Sequence, residues 1–178
     1  MNAEHSASIR DAQEEDAEAI ARVHISCWQE AYSGQLPDEL LAGLPNTIAR
    51  RTDFWGQVAA EAGPRDVLMV AEENDKVIGF AHARESRDEG EDDSVAEITA
   101  IYLRKRWWDQ GIGRALFSEA TDRLKAAGFT SAMLWVLETN TRTRRFYEAA
   151  GWELDGGTKS EKLGPATVRE VRYRRALS

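Results

Sequence analysis

Two glycines one residue apart, Gly111 and Gly113, come directly before a helical pattern in the stretch WWDQGIGRAL. The first turn of a helix carries N–H groups without intrahelical partners, and its dipole is positive there. Because glycines allow a phosphate to approach those groups closely, this arrangement favours an anion-binding site. A pair of glycines can also serve only to turn the chain, so the motif by itself is a weak signal. The expected donors are the backbone amides of Gly111, Ile112, Gly113, Arg114 and Ala115, with added charge from the Arg114 side chain.

A dinucleotide site is an alternative interpretation, because Glu138 ends the next predicted strand, where a ribose-binding carboxylate would lie. Three features disfavour it. Leu116 stands where the GxGxxG motif has its third glycine, and seven residues separate Leu103 from Gly111, which is long for that tight turn. In addition, a single parallel unit offers too little sheet to hold both halves of a dinucleotide.

The elements that position these residues follow from hydrophobic periodicity and turn residues. The helix after the glycine pair has Ile112, Leu116, Ala120 and Leu124 on one face, and Gly128 is well placed to end it. In chain order we predict strand 8–10, helix 16–32, a short helix ended by Gly43 and Pro45, helix 47–61, a hairpin of 67–73 and 76–83 around Asn74–Asp75, strand 95–103, the helix from 112, strand 131–137, helix 141–149 and a hairpin of 152–156 and 167–176. This order predicts a mixed α/β fold in one domain over residues 1–178, mostly antiparallel, with one parallel β–α–β unit at 95–137.

Composition limits the classes of function. Lys and Arg number 23 against 31 Asp and Glu, a net charge of -8 that disfavours nucleic acid as the main partner. The chain has no apolar run of the roughly 18–20 residues that a membrane span needs and no secretion signal at its start, so we expect a cytoplasmic protein. Cys27 is the single cysteine and is expected to be a small core residue.

Downstream, the stretch ETNTRTRRFYEAAGW places Asn140 and Tyr147 seven residues apart across a predicted helix. In this order and spacing, two motifs resemble those of the GNAT superfamily of N-acetyltransferases. WDQGIG at 108–113 resembles the acetyl-CoA motif Q/R-x-x-G-x-G/A, and NTRTRRFY at 140–147 resembles N-x-x-A-x-x-F/Y-Y. The opening segment through QLPDELL is also similar to that of bacterial members, so the resemblance covers nearly the whole chain. The chain departs from the family pattern at Trp108, Asp109 and Thr143, where Gln or Arg, Gly, and Ala are usual.

The resemblance implies a single mixed, mostly antiparallel sheet that is splayed between its two central strands and has helices on both faces. It also implies transfer of acetyl from acetyl-CoA to a primary amine of a small molecule or peptide, with no metal, and it is compatible with a homodimer. The implied cofactor site consists of Ile101, Tyr102, Leu103, Trp108, Asp109, Gln110, Gly111, Ile112, Gly113, Arg114, Ala115, Asn140, Thr143, Arg144 and Phe146.

Amine acetylation requires a base, because an amine with a pKa of about 10 is mostly protonated at neutral pH. Glu97 is the candidate, since it lies on strand 95–103, and the pleat predicts that Glu97, Thr99 and Ile101 share one face. The same carboxylate could instead be an exposed strand residue. Weaker candidates for the base are Glu30, Glu138 and His82, whereas His24 is expected to be a half-buried packing or hydrogen-bonding residue.

The resemblance assigns Tyr147 as the acid that protonates the leaving thiolate, with Phe146 taking the neighbouring core position. It also places Trp28, Tyr32 and Gln35 in one wall of the acceptor site. The acidic loop 84–93 is a candidate for a second wall, which would favour a cationic amine. A catalytically silent acyl-CoA-binding sensor or assembly module is the alternative function, although the presence of Glu97, Asn140 and Tyr147 favours an enzyme.

Overall fold

Residues 7–178 are described by a computed structural model of the chain. Its strands are β1 (Ser8–Asp11), β2 (Val67–Glu73), β3 (Lys76–Glu85), β4 (Val95–Leu103), β5 (Ser131–Leu137), β6 (Glu153–Leu163) and β7 (Ala166–Ala176). Its α-helices are α1 (Ala17–Ala31), α2 (Asp38–Gly43), α3 (Ile48–Glu61), α4 (Ile112–Ala126) and α5 (Thr141–Ala149). Short 3-10 turns lie at Glu14–Asp16, Leu44–Thr47 and Lys105–Trp107.

The seven strands form one sheet in the order β1-β2-β3-β4-β5-β7-β6. β4 and β5 are parallel, and every other neighbouring pair of these described strands is antiparallel. Side chains of α1 and α3 pack on one face of the sheet, as Ile20 and Trp55 do against Phe80. Side chains of α4 and α5 pack on the other, as Leu116 and Tyr147 do. The predicted mixed sheet with helices on both faces is therefore confirmed.

The two central strands separate, as the resemblance implied. β4 and β5 pair only at Val95↔Ser131, Ala96↔Ala132 and Glu97↔Met133, and no later pair joins them among the described residues. β4 nevertheless continues to Leu103 and β5 to Leu137. A parallel pair normally continues its hydrogen-bonded ladder along both strands. The early end of this ladder therefore leaves a gap between the carboxyl-terminal halves of β4 and β5.

A bulge in β4 alters which side chains share a face. His82 pairs with Ala100 and Ala83 pairs with Ile98, so Thr99 is an extra residue in β4. An extra residue shifts the side-chain alternation of all that follows it. Ile98 therefore packs among the residues under α4, whereas Ala100 packs in the cluster under α1.

The prediction that Glu97, Thr99 and Ile101 share one face is wrong for this reason. Thr99 Oγ1 lies 2.5 Å from His82 Nδ1, and the His82 ring packs edge-on to Trp55 on the α1 side. Ile101, after the bulge, packs against the cluster under α4 instead. The period-two pattern of the sequence did not reveal the extra residue, because a bulge depends on the register with β3.

The last hairpin is longer than predicted, with strands at 153–163 and 166–176. Its tip lies against α2, since Leu163 and Val168 pack with Leu36 and Leu41. A methyl group built on Gly164 would lie 2.6 Å from the Leu40 side chain, so glycine permits this close approach. Tertiary contact at the tip explains the extra length.

Within residues 7–178, no helix is long and apolar enough to span a membrane.

Candidate active site

The gap between β4 and β5 is part of a continuous cleft of about 1150 Å³ that extends from the first turn of α4 to the loop after α1. Most of the site residues expected from the sequence line it. Those that do are Trp28, Tyr32, Gln35, Glu97, Ile101, Tyr102, Leu103, Trp108, Asp109, Gly111, Gly113, Arg114, Asn140, Thr143, Phe146 and Tyr147. The fold thus brings together residues from α1, β4, α4 and α5, which lie more than a hundred positions apart at the extremes.

The first turn of α4 opens on this cleft. Gly111 is its N-cap at φ +82°, a left-handed conformation that side chains disfavour. The Ala115 N–H donates to the Gly111 carbonyl at 3.0 Å, so the first helical bond begins there. The amides of Ile112, Gly113 and Arg114 precede that bond and point out of the helix end. The expectation that the Ala115 amide is also a phosphate donor is wrong, because the helix already uses it.

Four expected cofactor residues, Gln110, Ile112, Ala115 and Arg144, do not have side chains in the cleft lining. The Gln110 amide donates to the Arg106 carbonyl at 3.0 Å. The Ile112 side chain is buried beneath α4. Arg144 Nε donates to the Tyr173 hydroxyl at 3.1 Å and Nη1 to the carbonyl of residue 138 at 2.9 Å. Arg144 therefore joins α5 to the sheet instead of reaching the cleft.

Trp108 and Asp109, which precede the glycines and depart from the family pattern, each form a hydrogen bond within the protein. Trp108 Nε1 donates to the Leu103 carbonyl at 2.7 Å, which fixes the indole at the end of β4. Asp109, at φ +60°, accepts from Arg142 Nη2 at 2.9 Å. The Arg142 guanidinium also lies 4.5 Å from the Trp108 ring centre. Arg142 lines the cleft but was not singled out from the sequence, where the basic run NTRTRR was the available signal.

Asn140 begins α5 as its N-cap. Its side-chain oxygen accepts from the Thr143 N–H at 3.3 Å, and the residue is buried. Asparagine is favoured at this position because its oxygen satisfies an amide of the first turn. The cap occupies the side-chain oxygen, so the amide NH2 is the part of Asn140 that can donate to a ligand in the cleft. The cap also sets where α5 starts and hence where Tyr147 lies in its last turn.

Tyr147 is buried, with 5% of its surface exposed, and its ring packs 5.5 Å from Phe117 and 6.0 Å from Tyr173. Phe146 is only half-buried, so the expectation that Phe146 would take the core position is wrong. Tyr147 nevertheless lines the cleft. Burial raises the pKa of its phenol far above the usual value, with a smaller effect from Tyr102. The hydroxyl therefore remains protonated at physiological pH.

Glu97 is half-buried in the cleft, beside the last pair of the β4–β5 ladder. Burial raises the pKa of its carboxyl, and the negative charge of Asp88 adds to this effect. Lys159 and Arg84 act in the opposite direction. A carboxylate whose pKa is raised toward neutrality is better matched to accept a proton.

The weaker base candidates are placed less favourably. His82 is buried outside the cleft lining, and burial lowers its pKa to about 4. Glu30 lies at the cleft but accepts from the Lys105 N–H at 2.8 Å and pairs with Arg104 at 3.5 Å. Glu138 is outside the lining, 3.7 Å from Arg169. Among the four candidates for the base, it is Glu97 that both lines the cleft and has a raised pKa.

Aromatic side chains form the opposite end of the cleft. Trp28 Nε1 donates to the Tyr102 hydroxyl at 2.9 Å, and the Trp28 and Tyr32 rings lie 5.1 Å apart. His24 stacks on Tyr102 at 5.1 Å, and its Nδ1 lies 3.2 Å from Arg51, so its expected packing and hydrogen-bonding role is confirmed. Cys27 is buried as expected, although it lies at the cleft, and burial raises its pKa to about 12.

The acidic loop does not form the second wall. None of residues 84–93, all of them described, lines the cleft. Asp88 and Glu91 instead form ion pairs with Arg172, and Glu91 also pairs with Arg174. The loop charges therefore hold the loop against β7. The sequence showed the acidic run and the basic run REVRYRR separately, and only the fold pairs them.

Charged residues of β6 and β7, and not those of the acidic loop, line the cleft. Lys159 and Glu161 of β6 and Glu170 of β7 line it, together with Trp135 of β5. Sequence reasoning missed these residues, because charged residues on an edge hairpin look like a solvated face. Among the described residues, no group of three or more His, Cys, Asp or Glu side chains is arranged to hold a metal ion.

Comparisons with known proteins agree with this geometry. The model of the acetyltransferase (GNAT) family matches residues 17–152. The Bacillus subtilis protein named uncharacterized N-acetyltransferase YuaI is 32% identical over 142 residues, which are 80% of this chain and 78% of that protein.

Two solved structures resemble the chain over almost its whole length. The paiA N-acetyltransferase from Thermoplasma acidophilum, in complex with coenzyme A, has a TM-score of 0.76 at 18% identity and covers 96% of this chain and 99% of its own. The structure of yncA from Salmonella typhimurium with its cofactor acetyl-CoA has a TM-score of 0.70 at 18% identity, covering 97% and 94%. At this identity the likeness shows a shared fold.

Proposed function

The chain belongs to the acetyltransferase (GNAT) family, and on that premise we propose that it transfers an acetyl group from acetyl-CoA directly to a primary amine. The acceptor is a small molecule or a peptide. One observation carries the proposal: the β4–β5 ladder ends at Glu97, and the gap beyond it joins the open first turn of α4 to Glu97 and Tyr147.

The cleft residues fit acetyl-CoA. Amides of Ile112, Gly113 and Arg114 at the helix end suit the diphosphate, and the Arg114 side chain adds charge. A methyl group on Gly113 would lie 3.7 Å from Leu103 and 4.0 Å from Phe146, which is ordinary van der Waals contact, so packing within the protein does not itself require glycine at this position of the cleft lining. The β5-facing edge of β4 at Ile101 and Tyr102 has no strand partner among the described residues and is suited to pair with the pantetheine amides as a strand would, whereas the Leu103 carbonyl already accepts from Trp108 Nε1.

Glu97 prepares the acceptor. The amine must lose a proton before its nitrogen can attack, and the Glu97 carboxylate accepts that proton directly or through water. Bound acetyl-CoA supplies a thioester carbonyl as the electrophile. A nitrogen–carbon bond forms and the carbon–sulfur bond breaks, while Glu97 carries the proton away to solvent.

Tyr147 completes the exchange at the sulfur. Its phenol, kept protonated by burial, donates a proton or a hydrogen bond to the departing sulfur. Where the phenol gives up its proton, the second proton that the nitrogen loses as the amide forms restores it. Asn140 orients the chain of the cofactor through its amide NH2 and fixes the start of α5. Trp28, Tyr32 and Tyr102 form a hydrogen-bonded aromatic wall that excludes water around the amine.

The test is release of free thiol from acetyl-CoA in the presence of a panel of amines, with calorimetric binding of CoA and of NAD to the same protein. Amine-dependent release supports the proposal. CoA binding without turnover for any amine would instead indicate a silent acyl-CoA-binding module. Binding of NAD but not of CoA would contradict the proposal altogether.

A further inference from the structure

Glu97 and Trp135 flank the point at which β4 and β5 diverge. Glu97 belongs to the last pair of the ladder, opposite Met133. Trp135 lies two residues beyond Met133, so its side chain is on the same face of β5. Glu97 is the first residue of β4 that lines the cleft, and Trp135 is the first of β5. The two side chains therefore stand together where the gap opens.

The loop that joins β3 to β4, residues 86–94, lies against this face of the sheet. Ser86 Oγ lies 3.8 Å from Met133 Sδ, and Trp135 Nε1 donates to Asp88 Oδ2 at 2.9 Å. Asp88 is half-buried and does not line the cleft. The indole N–H is the single hydrogen-bond donor of a tryptophan side chain. Asp88 therefore fixes the polar edge of Trp135 away from the cleft, which leaves the apolar ring to form its lining.

Two cations contact the same ring. Lys159 Nζ lies 4.4 Å from the centre of the Trp135 ring, and the Arg172 guanidinium lies 5.4 Å from it. Lys159 is paired with Glu170, whereas Arg172 Nη1 lies 3.5 Å from Asp88 Oδ2. One carboxylate oxygen of Asp88 thus contacts both the indole N–H and the guanidinium over the ring, so its removal would release both groups.

Asp88 also acts on Glu97 through its charge. Burial is the main cause of the raised pKa of the Glu97 carboxyl, and Asp88 has the largest effect among its charged neighbours, with a smaller one from Glu170. Lys159 and Arg84, which is opposite Glu97 in the β3–β4 register, lower this pKa. An apolar ring that keeps water from a carboxylate also favours its protonated form. The charge of Asp88 and its bond to the indole therefore work in the same direction.

We propose that Asp88 is a positioning residue for the reaction: from outside the cleft, it holds the Trp135 indole beside Glu97 and maintains the surroundings in which Glu97 accepts the proton of the amine. The loop thus takes part in the chemistry through Trp135, although none of its residues lines the cleft. This inference rests on the proposed function, in which Glu97 is the base.

Titration of the Glu97 carboxyl by 13C NMR tests it without reference to turnover. Asp88→Asn removes the charge but keeps an oxygen that can accept from Trp135 Nε1, whereas Asp88→Ala removes both. We expect the pKa of Glu97 to be lower in Asp88→Asn than in the unmodified protein, and lower again in Asp88→Ala. Asp88→Asn, which keeps the side-chain volume, decides the question where the alanine variant does not fold.

Kinetics should follow the titration. Asp88→Ala should lower kcat by about tenfold with little change in KM for acetyl-CoA, because it removes a hydrogen bond to a charged group far from the first turn of α4. The acid limb of kcat/KM should move to lower pH as the pKa of Glu97 does. Trp135→Phe keeps a ring but lacks the N–H, and Asp88→Ala combined with Trp135→Phe should lose less than the two single effects added together.

Three carboxylate variants are the controls. Glu89→Gln removes an exposed charge from the same loop, and Glu153→Gln removes one from β6 outside the cleft lining. Neither should change the titration of Glu97. Glu91→Gln removes an ion pair with Arg172 but no contact with Trp135, so it should change the titration less than Asp88→Asn does. Calorimetric binding of CoA verifies that each variant is folded.

An unchanged titration of Glu97 in the folded Asp88 variants overturns this inference and leaves the acetyltransferase proposal standing. An equal change in Glu91→Gln overturns it as well, since anchoring of the loop would then suffice. Additive losses in the combined variant would show that Asp88 does not act through Trp135. Absence of turnover with every amine overturns the proposed function, whereas the NMR titration still decides whether Asp88 controls Glu97.

Discussion

Asp109 and Arg142 form an ion pair beside the first turn of α4, with Oδ1 of the carboxylate 2.9 Å from Nη2 of the guanidinium. The pair joins the loop before α4 to the first turn of α5. It also places a negative charge beside the amides proposed to bind the diphosphate of acetyl-CoA. The guanidinium that could assist that diphosphate is engaged by Asp109.

Asp109→Gly should therefore strengthen acetyl-CoA binding several-fold, because it removes the charge and releases Arg142 for the phosphates. Glycine also suits the positive φ at this position. Asp109→Asn, which keeps the side-chain size, separates the effect of charge from that of backbone and should give most of the gain. Calorimetric dissociation constants measure both. Weaker binding in both variants would mean that Asp109 holds Arg142 in a productive position.

Tyr147→Phe should lower kcat by about a hundredfold with little change in KM for acetyl-CoA, because a proton donor contributes mainly to the chemical step. Tyr173→Phe is the matched control. The Tyr173 hydroxyl donates to Glu148 at 2.6 Å, outside the cleft lining, so its loss should lower stability and leave kcat intact. Steady-state kinetics and thermal unfolding of both variants check this. Equal kcat in Tyr147→Phe and the unmodified protein removes Tyr147 from the mechanism.

The pH dependence should reflect Glu97. Burial raises the pKa of its carboxyl, so kcat/KM should rise with pH through a value above that of an ordinary glutamate. Glu97→Gln should lower kcat/KM by about a hundredfold and abolish this limb of the profile. A profile that keeps the same limb in Glu97→Gln would assign it to another group.

The free energy of unfolding should fall over the pH range in which kcat/KM rises. Because the folded-state pKa of Glu97 is raised, the folded protein binds this proton more tightly than the unfolded chain does. The contribution to the free energy of unfolding is full below the unfolded pKa and is lost as pH rises through the folded value. Glu97→Gln should therefore raise the melting temperature at neutral pH but not in acid. Thermal unfolding across this pH range, with Glu153→Gln as the control, measures the effect.

Asn140→Ala should lower the free energy of unfolding by about 1 kcal/mol, because it removes the cap of α5. Asn140→Ser keeps an oxygen that can accept from the Thr143 amide and should retain most of the stability. Both variants lose the amide NH2, so both should raise KM for acetyl-CoA. Denaturant unfolding and kinetics distinguish the two roles. Full affinity in Asn140→Ser would restrict Asn140 to capping.

The sequence alone was sufficient to predict the helices and turns that depend on contacts between residues close together in the chain. Helical periodicity located α4, and Gly128 ends it as predicted; Gly111 and Gly128 both adopt positive φ angles. Alternating apolar residues and the Asn74–Asp75 turn located the β2–β3 hairpin. These features follow from contacts within a few residues, which a sequence displays directly. The motif spacing likewise predicted residues that the structure places in the lining of the cleft.

Tertiary structure alone decided what depends on register and on pairing across the sheet. The bulge at Thr99 turned Ile101 away from Glu97, and the pairing of β7 with β5 brought Glu170 to the cleft. Asp88 and Glu91 of the acidic loop pair with arginines of β7, and the loop does not line the cleft. Such contacts join residues that lie tens of positions apart in the sequence. Their geometry is set by the packing of the whole sheet, which no local sequence pattern predicts.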